Sequence, residues 1–492
     1  MAAGSAMGPA SGCPVLDRVE QQVVRYPDRA AVVTATDRLD YRGLWQHIGR
    51  WQQRCSALDL LPGSLVAVLS SSGAGLPAAF LGARAAGLVP LLIDSAQPAS
   101  RVADLLAAAR PAAVLRSDQD EAELVAEANP RTLPAEAGYL AFSSGTQGRP
   151  KAVVGQAAGL LRFIDWEIAT LGVGPGTRVA MLTSPSFDVC YRDLLLPLCS
   201  GGELHVAEQA VRSAPAAVLP WLAEHQIEVL HAVPSLSARW IEDAPPPLEA
   251  LRHTLFAGEP LYGRHVHRWR QVAPASRVSN LYGPSETTLA MFHYQVPADC
   301  DPGLQPVGRP LPDGTFDLVP AGPEQGIGNV YRVIITTPHG SLGYLPDTCS
   351  ADDLGRLSRE HGVTRFQTQD RGRLDPEGNL VVAGRLDSLV KRRGTFVDIA
   401  RIEAAAADLA EVRAACCVQL ASSSEIVLVV QGPDPAGAAS LRRALRAPLG
   451  ADLPDRVVAL PVLPLLPGGK ADRRAIRELL NLEEVVDERQ SS

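Results

Sequence analysis

The chain has 492 residues, of which 46% are hydrophobic and 20% are charged, and its formal net charge is −8. This length exceeds what one hydrophobic core supports, so we expect at least two domains. The negative charge argues against a general nucleic-acid-binding protein, and no apolar run is long enough to predict a membrane-spanning helix.

The amino-terminal segment and the cysteines predict the compartment. Residues 1–14 lack a basic start followed by an apolar core, so they predict a disordered lead rather than a secretion signal. The eight cysteines form no Cys-x-x-Cys pair and do not cluster with histidines, which predicts reduced thiols and no zinc site. We therefore expect a cytoplasmic protein.

In chain order, apolar runs alternate with segments of helical periodicity from about residue 17 to 318. Buried strands are predicted at 30–35, 65–70, 88–94, 112–117, 178–187, 227–235 and 253–260, with Ala/Leu-rich helices such as 74–87 between them. This alternation predicts βαβ units with mostly parallel sheets.

The carboxy-terminal part has a different pattern. Residues 316–346 are rich in strand-forming side chains, and from about residue 388 the order becomes helix, strand, helix. We predict an α/β fold: a large N-terminal domain of βαβ sheets with a strand-rich subdomain, followed by a small, mobile α+β C-terminal domain.

The segment "YLAFSSGTQGRPKAVVG" (139–155) concentrates hydroxyls, glycines and one lysine after an apolar run. Such a loop either wraps phosphates with backbone N–H groups, hydroxyls and the lysine, or is a flexible surface loop. It is not a Walker A loop, because the spacing G-x-x-x-x-G-K-[ST] is absent.

Four further loops carry similar chemistry. They are "NLYGPSETT" (280–288), "QTQDRGRL" (367–374), "GRLDSLVKRRG" (384–394) and "GGKADRRA" (468–475). Each alone is compatible with a plain surface turn. The order and spacing of the five together resemble the adenylate-forming superfamily, specifically the amino-acid adenylation domains of nonribosomal peptide synthesis. The resemblance runs from about Val15 to Ala475.

This resemblance implies a large adenylation domain at 15–386, which binds ATP and the amino acid, and a small C-terminal domain at 387–492 with a catalytic lysine, Lys470. In such enzymes a carboxylate attacks the α-phosphate of ATP and pyrophosphate leaves. Lys470 would bridge the two reacting groups, and Glu286 would help to hold Mg²⁺. The alternative for Lys470 is a solvated surface lysine. The other nucleotide-binding residues that the resemblance implies are Ser143, Ser144, Gly145, Thr146, Gly148, Lys151, Asn280, Tyr282, Gly283, Asp370 and Arg385.

The segment "SPSFDVCYRDLLLPLCSGGEL" (184–204) resembles the start of the family's substrate pocket. There, an aspartate after phenylalanine pairs with the α-ammonium of an amino acid, and Asp188 occupies that place. Asp188 as the N-cap of the following helix is the alternative. The remaining pocket positions carried over are Val189, Arg192, His231, Leu255, Ala257, Gly258, Leu281, Leu289 and Ala290. This mostly aliphatic lining favours a small neutral L-amino acid, alanine first and then serine or glycine.

We expect a free-standing enzyme, because neither a carrier module nor a condensation domain is apparent in the sequence. We expect a monomer, because the sequence shows no coiled-coil pattern and no long apolar stretch that would be exposed. The aminoacyl group would pass to a separate carrier protein, either to its pantetheine thiol or to the amine of an aminoacyl group on the carrier. The resemblance places the hinge at Asp387 and the pantetheine path at Gly394. Arginines 442, 443 and 446 are candidates for carrier docking.

Two alternatives stay open. One is an acyl- or aryl-CoA ligase of the same fold, against which Asp188 and the pocket argue. The other is a non-catalytic binding protein, suggested by Gln367 and Gln369, which replace the arginine and glycine usual beside the family's ribose-binding aspartate.

Overall fold

The structure, a computed structural model of the chain, describes residues 13–71, 73–125, 130–143, 151–241, 246–321, 331–392, 395–407, 409, 411–420, 423–432, 437–465 and 471–480. Within these ranges, no helix is both long enough and apolar enough to cross a membrane. All eight cysteines are free thiols. No group of three or more His, Cys, Asp or Glu side chains in the described part could hold a metal ion.

Helices and strands follow one another along the chain. Up to residue 295 they are α1 (Pro14–Arg25), β1 (Ala30–Val33), β2 (Arg38–Asp40), α2 (Tyr41–Ala57), β3 (Leu65–Ser70), α3 (Gly75–Ala85), β4 (Val89–Asp94), α4 (Ala99–Ala109), β5 (Ala113–Arg116), β6 (Glu121–Leu124), β7 (Ala137–Ser143), β8 (Lys151–Gln156), α5 (Ala157–Leu171), β9 (Arg178–Met181), α6 (Cys190–Ser200), β10 (Glu203–Val206), α7 (Gln209–Ser213), α8 (Pro215–Glu224), β11 (Val229–Ala232), α9 (Pro234–Trp240), β12 (His253–Ala257), α10 (Gly263–Val272), β13 (Arg277–Tyr282) and β14 (Phe292–Gln295).

The remaining elements are mostly strands until the last part of the chain. They are β15 (Arg309–Pro310), β16 (Thr315–Pro320), β17 (Tyr331–Thr337), β18 (Gly343–Tyr344), α11 (Ala351–Arg356), β19 (Leu357–Glu360), β20 (Val363–Leu374), β21 (Leu380–Arg385), β22 (Leu389–Arg392), β23 (Thr395–Asp398), α12 (Ile399–Ala407), β24 (Ala414–Gln419), β25 (Ile426–Gln431), α13 (Ala438–Ala444), α14 (Arg446–Leu449) and β26 (Arg456–Leu460).

The chain divides into two compact units. Unit 1 comprises residues 1–316, 335–367 and 376–379, and unit 2 comprises 317–334, 368–375 and 380–492. Unit 2 thus contains residues 317–334 and 368–375 in addition to the carboxy-terminal residues 380–492. The domain boundary at residues 386 and 387 stays a prediction.

Unit 1 contains two large sheets. The nine-stranded sheet has the order β15-β14-β13-β12-β11-β9-β10-β1-β2, and the seven-stranded sheet has the order β18-β8-β7-β4-β3-β5-β6. The inner strands of both sheets are parallel, and antiparallel strands lie at the edges. The prediction of βαβ units with mostly parallel sheets is therefore confirmed.

Helix α6 packs on β9 and β10 of the nine-stranded sheet, and α5 packs on α6 and on β7 and β8 of the seven-stranded sheet. Every residue of α6 is buried, as expected for a helix packed on several sides. It ends at Gly201, whose φ of 82° is the left-handed conformation that glycine adopts without strain. On α5 the buried positions recur at helical spacing, and they include one charged residue, Glu167.

Unit 2 is built from hairpins and a small sheet. The second part of β20 pairs with β21 in antiparallel register, with Asp370 opposite Arg385. Strands β22 and β23 form a hairpin, and β24, β25 and β26 form a three-stranded sheet on which α12 and α13 pack. The helix, strand and helix expected after residue 388 are all present.

Two local predictions were wrong. Asp370, in the segment 367–374 that was predicted as a loop, lies within the long strand β20, at a bulge in its pairing with β21. The motif at 280–288 was also predicted as a loop, but its first three residues are the end of the buried strand β13. At Asp370, the neighbouring strand β21 supplies Arg385 as a partner and thereby permits a strand that local sequence disfavours.

Candidate active site

The predicted phosphate loop connects two antiparallel strands of unit 1. Ser143 ends β7, and Lys151, directly opposite in the register, begins β8. The loop residues Ser144, Gly145, Thr146 and Gly148 lie outside the described residues. The ammonium of Lys151 donates to Asp353 Oδ1 at 2.6 Å, and both side chains are largely buried.

Glu286 lies in a short 3₁₀ helix, Ser285–Thr287, just after β13. The backbone at Gly283 passes very close to the backbone of Ala290. A Cβ atom at position 283 would lie 2.6 Å from Ala290 Cα, so only glycine fits there. The hydroxyl of Tyr344 donates to Glu286 Oε1 at 2.5 Å. Burial raises the pKa of the Glu286 carboxyl, and the Tyr344 hydroxyl and the Lys151 charge offset part of this rise.

Tyr344 lies next to both Lys151 and Glu286. Its ring centroid lies 6.0 Å from Lys151 Nζ, and its hydroxyl contacts Glu286. One aromatic side chain thus stands between an ammonium and a buried carboxylate. The structure therefore brings together Lys151 and Glu286, which are far apart in the sequence.

Asp188 lies in the loop between β9 and α6 and is half-buried. The N-cap of α6 is Val189, with no side-chain capping hydrogen bond, so the alternative that Asp188 caps this helix was wrong. Burial raises the pKa of the Asp188 carboxyl, whereas the Ser285 hydroxyl and the Arg192 charge lower it. A carboxylate in this situation gains from a cationic partner, which suits an ammonium group.

Four predicted pocket residues share one face of the nine-stranded sheet. His231 is in register with Leu255, and Ala257 is in register with Leu281, on adjacent parallel strands. Leu255 and Leu281 are almost fully buried and belong to the cluster formed with α5 and α6. Gly258 follows at the end of β12 with a φ of 87°.

Leu289 and Ala290 continue this wall just beyond the Glu286 turn, and both are buried. Thr288 and Leu289 adopt φ values of 66° and 59°. Left-handed conformations of non-glycine residues cost of order 1–3 kcal/mol each, and they cluster at binding sites. The surrounding packing therefore holds this segment in a strained conformation.

His231 also belongs to a buried ion cluster that consists of Glu167, Arg192, Asp193 and His231. Nε2 of His231 lies 2.9 Å from Glu167 Oε1, and Nδ1 lies 3.1 Å from Asp193 Oδ1. The second contact has the distance of an ion pair but not the angle of a hydrogen bond, and Nδ1 has no other partner among the residues that the structure describes. Arg192 Nε lies 3.2 Å from the same Asp193 oxygen.

The charges of this cluster balance only when His231 is protonated. Burial and the Arg192 charge act to lower the pKa of His231, but the Glu167 and Asp193 carboxylates outweigh them and raise it above its ordinary value. Burial likewise acts to raise the pKa of Asp193, but Arg192 and His231 hold it below the usual range. The four side chains are 0–4% exposed, so a net charge there would be costly.

Glu167→Gln is expected to destabilise unit 1 by about 3–5 kcal/mol near pH 6, because it breaks a buried ion pair. The pKa of His231 is higher in the folded state than in the unfolded state, where it is 6.5. Protonated His231 therefore contributes its whole stabilising free energy below pH 6.5, and this contribution is lost as the pH rises through the folded-state pKa. The destabilisation should therefore be smaller at pH 8. Urea-unfolding midpoints at both pH values measure this, with the exposed Glu224→Gln as control. Equal destabilisation at both pH values would contradict a protonated His231.

The predicted adenine contacts lie at the end of β13. The Asn280 side chain is buried, and its Nδ2 donates to the Pro306 carbonyl at 2.8 Å. The Tyr282 ring packs against Phe292, with 5.6 Å between centroids.

The predicted ribose and hinge residues lie together in unit 2. Arg385 Nη1 lies 3.5 Å from Asp370 Oδ1, and the Arg385 guanidinium makes two hydrogen bonds of 2.8 Å to the Asp387 carboxylate. Gly394 and Lys470 lie outside the described residues. The chain on both sides of Lys470 is held by an antiparallel bridge between Leu465 and Ala471.

Sequence reasoning missed four residues of this region: Tyr344, Asp353, Glu167 and Asp193. Glu167 had a detectable signal, since it is a charged residue on the apolar face of an amphipathic helix. Asp353 also had one, because Ser350 and Asp353 have the spacing of a capping box. Tyr344 and Asp193 carried no local signal that distinguishes them from packing residues.

Comparisons with known proteins identify the family of this chain. The family model described as AMP-binding enzyme matches residues 19–345. Over 92% of its length the chain is 29% identical to the phosphinothricin tripeptide synthetase PhsB of Streptomyces viridochromogenes, of which it covers 41%. The chain spans less than half the length of this and other curated relatives that it matches.

Two solved structures share the fold. One is holo-AB3403, a four-domain nonribosomal peptide synthetase bound to AMP and glycine, with a TM-score of 0.79 and 22% identity, covering 94% of this chain and 36% of that one. The other is the anthranilate CoA ligase AuaEII with anthranoyl-AMP, with a TM-score of 0.81 and 17% identity, covering 96% and 98%. At such low identities these two likenesses support the fold alone.

The fold and the family match together define an AMP-binding, adenylate-forming enzyme. The chain belongs to the AMP-binding enzyme family. It is an ATP-dependent, AMP-forming ligase, an adenylation domain that activates an acid with ATP.

Proposed function

We propose that this domain activates a small neutral L-amino acid, alanine first and then serine or glycine, as aminoacyl-AMP with release of pyrophosphate. The observation that carries the proposal is the Asp188 carboxylate. It is half-buried, its pKa is raised by burial, and no capping role occupies it. An α-ammonium group is the partner that would stabilise its ionised form.

The preference for a small neutral side chain follows from the rest of the pocket wall. His231 and Arg192 are the polar members of the predicted lining, and both are engaged with carboxylates in the buried cluster. The other wall residues Leu255, Leu281 and Leu289 are apolar and buried. A charged substrate side chain would therefore meet no uncompensated charge, and a long one would meet packed leucines. Because one methylene changes binding by only about 1–3 kcal/mol, related small amino acids are expected to compete.

We further propose that catalysis depends on positioning and on stabilising charge at the reacting phosphate. Lys151 would bind phosphate oxygens together with Ser143 and the loop residues after it. Lys470 would lie between the substrate carboxylate and the α-phosphate. Asn280 and Tyr282 would bind adenine next to Gly283, and Asp370 and Arg385 would bind ribose.

Glu286 suits a magnesium site. Its carboxylate is a hard oxygen ligand, and Mg²⁺ in nucleotide sites is commonly held by one or two carboxylates plus phosphates. The absence of a larger cluster of ligating side chains in the described part of the chain fits this mode, in which the nucleotide supplies most ligands. The ion would neutralise phosphate charge, and Tyr344 would orient the Glu286 carboxylate through its hydrogen bond.

Tyr344→Phe is expected to move the acid limb of the pH–rate profile to higher pH by about one to two units. The lost hydrogen bond to a charged group contributes about 1.5–3 kcal/mol, and one pKa unit corresponds to about 1.4 kcal/mol. Because the Tyr344 hydroxyl lowers the pKa of Glu286, its removal raises that pKa, so ionised Glu286 requires higher pH. Pyrophosphate exchange measured from pH 5 to 9 tests this expectation. An unshifted acid limb would contradict the role of Glu286.

For the second half-reaction, we propose transfer to the pantetheine thiol of a discrete carrier protein, or to the amine of an aminoacyl group on it. The C-terminal domain, residues 387–492, would rotate about Asp387, with Gly394 along the pantetheine path. The arginines at 442, 443 and 446 would contact an acidic carrier. We expect a monomer in the cytoplasm.

The experiment that tests the substrate proposal is ATP–pyrophosphate exchange across the proteinogenic amino acids, with propionate and an aryl acid as controls. Exchange with alanine, weaker exchange with serine or glycine, and none with propionate would support the Asp188 assignment. Exchange only with acids that lack an α-amine would favour the acyl- or aryl-CoA ligase, which the shared fold permits. No exchange with any acid would favour the non-catalytic alternative suggested by Gln367 and Gln369.

A further inference from the structure

The contact between Lys151 and Asp353 joins two parts of unit 1 that lie 202 residues apart. The 2.6 Å distance between Lys151 Nζ and Asp353 Oδ1 is that of a strong, charge-assisted hydrogen bond. The two side chains are only 13% and 11% exposed. Such an ion pair is much less weakened by solvent than one on the surface.

Asp353 is itself held in one orientation. Its Oδ2 accepts from the Ser350 hydroxyl at 2.7 Å and from the Ser350 N–H at 3.2 Å, and the Ser350 hydroxyl accepts from the Asp353 N–H at 3.2 Å. This reciprocal capping box fixes the start of α11. The remaining oxygen, Oδ1, is thereby directed at Lys151.

The other surroundings of the Lys151 ammonium are equally fixed. The Tyr344 ring lies 6.0 Å away, and its hydroxyl is anchored on Glu286. In the strand register, Lys151 lies opposite Ser143, so it stands where the predicted phosphate loop rejoins the sheet. The long, flexible lysine side chain is thus held at the base of that loop by a carboxylate and an aromatic ring.

We propose that Asp353 is a positioning residue that holds the Lys151 ammonium in place for the phosphates of ATP. The proposal rests on the proposed function, in which Lys151 binds phosphate. Asp353 does not touch the nucleotide. It acts by ordering the lysine before ATP binds, so that this ordering does not have to occur on binding.

Asp353→Asn keeps an oxygen at this position but removes its charge. We expect this variant to bind ATP about three- to tenfold more weakly, because the Lys151 side chain would then become ordered only when ATP binds. Isothermal titration calorimetry of the full chain with Mg-ATP measures the Kd. Asp353→Glu should largely restore it, because glutamate suits this capping-box position and keeps the charge. Asp352→Asn is the matched control, because that neighbouring carboxylate is 71% exposed and pairs with Arg356 instead.

A second readout reports on the ion pair without ATP. The chain has three lysines, 151, 391 and 470, so peptide mass spectrometry resolves the rate at which each amine is acetylated. Asp353→Asn should speed the acetylation of Lys151 several-fold relative to the exposed Lys391, and Asp352→Asn should not. A purely structural role of Asp353 would change the unfolding midpoint without this selective change at Lys151.

Three results would overturn the proposal: unchanged acetylation of Lys151 in Asp353→Asn, tighter ATP binding by that variant, or no ATP binding by the wild type. Tighter binding would mean that Asp353 competes with phosphate for the lysine. Intact ATP binding without acid-dependent exchange would instead overturn the proposed activity and leave the role of Asp353 in place.

Discussion

Lys470→Ala is expected to reduce amino-acid-dependent ATP–pyrophosphate exchange about 10²–10³-fold, the usual effect of removing one donor from a preorganised charge-stabilising site. In the proposed mechanism, this ammonium lies where negative charge develops between the substrate carboxylate and the α-phosphate. Its loss should lower kcat much more than it raises the KM for ATP, because the interaction is strongest in the transition state.

Lys391→Ala is the matched control for this experiment. Lys391 lies in β22 with an exposed side chain, and no role in pyrophosphate exchange is assigned to it. Equal exchange rates for Lys470→Ala and the wild type would contradict the catalytic role of Lys470 and favour the solvated surface lysine that the sequence left open.

Asp188→Asn is expected to reduce kcat/KM for alanine at least about 30-fold, because breaking a hydrogen-bonded charge pair away from water costs about 2–5 kcal/mol. The loss should appear mainly in the KM for the amino acid, since the α-ammonium is bound in both the ground state and the transition state. The Kd for ATP should stay within about twofold of the wild-type value, because Asp188 is assigned to the amine.

The exposed Asp299→Asn controls for a general effect of removing an acidic residue. If Asp188→Asn keeps full activity with alanine, the carboxylate does not bind the ammonium, and the substrate class must be reconsidered. If it loses ATP binding as well, Asp188 supports the site as a whole rather than the amine.

Much of the fold was predictable because its strands are unusually apolar. The segment of β3, for example, is buried at every position, as expected for an inner strand of a parallel sheet covered on both faces. The segment of helix α6 was also predictable as buried, because most of its residues are apolar. The chain around Asp370 was not, because its strand depends on pairing with β21 rather than on local preference.

For the site, sequence motifs predicted single residues but not their partners. Glu286 belongs to a recognised loop, yet the hydroxyl that contacts it comes from Tyr344, 58 residues later. His231 was predicted as a pocket residue, and the partner of its ring in the structure is Glu167, 64 residues earlier. Such long-range contacts depend on how the strands and helices pack, and a single sequence contains no local signal that predicts them.

The buried cluster also changes how the pocket is understood. The sequence analysis carried Arg192 over as one of the pocket positions. In the structure it is buried and lies beside Asp193, within a cluster whose charges balance. A polar pair in the predicted lining therefore does not imply a polar substrate, which is why alanine stays the first candidate.

The most direct test of the central claim is mass spectrometry of the products formed from ATP, Mg²⁺ and L-alanine by the purified chain. We predict alanyl-AMP bound to the enzyme, together with an equal amount of pyrophosphate. Formation of ADP and phosphate, or of an adenylate of an acid without an amine while alanine stays unreacted, would contradict amino-acid adenylation by this domain.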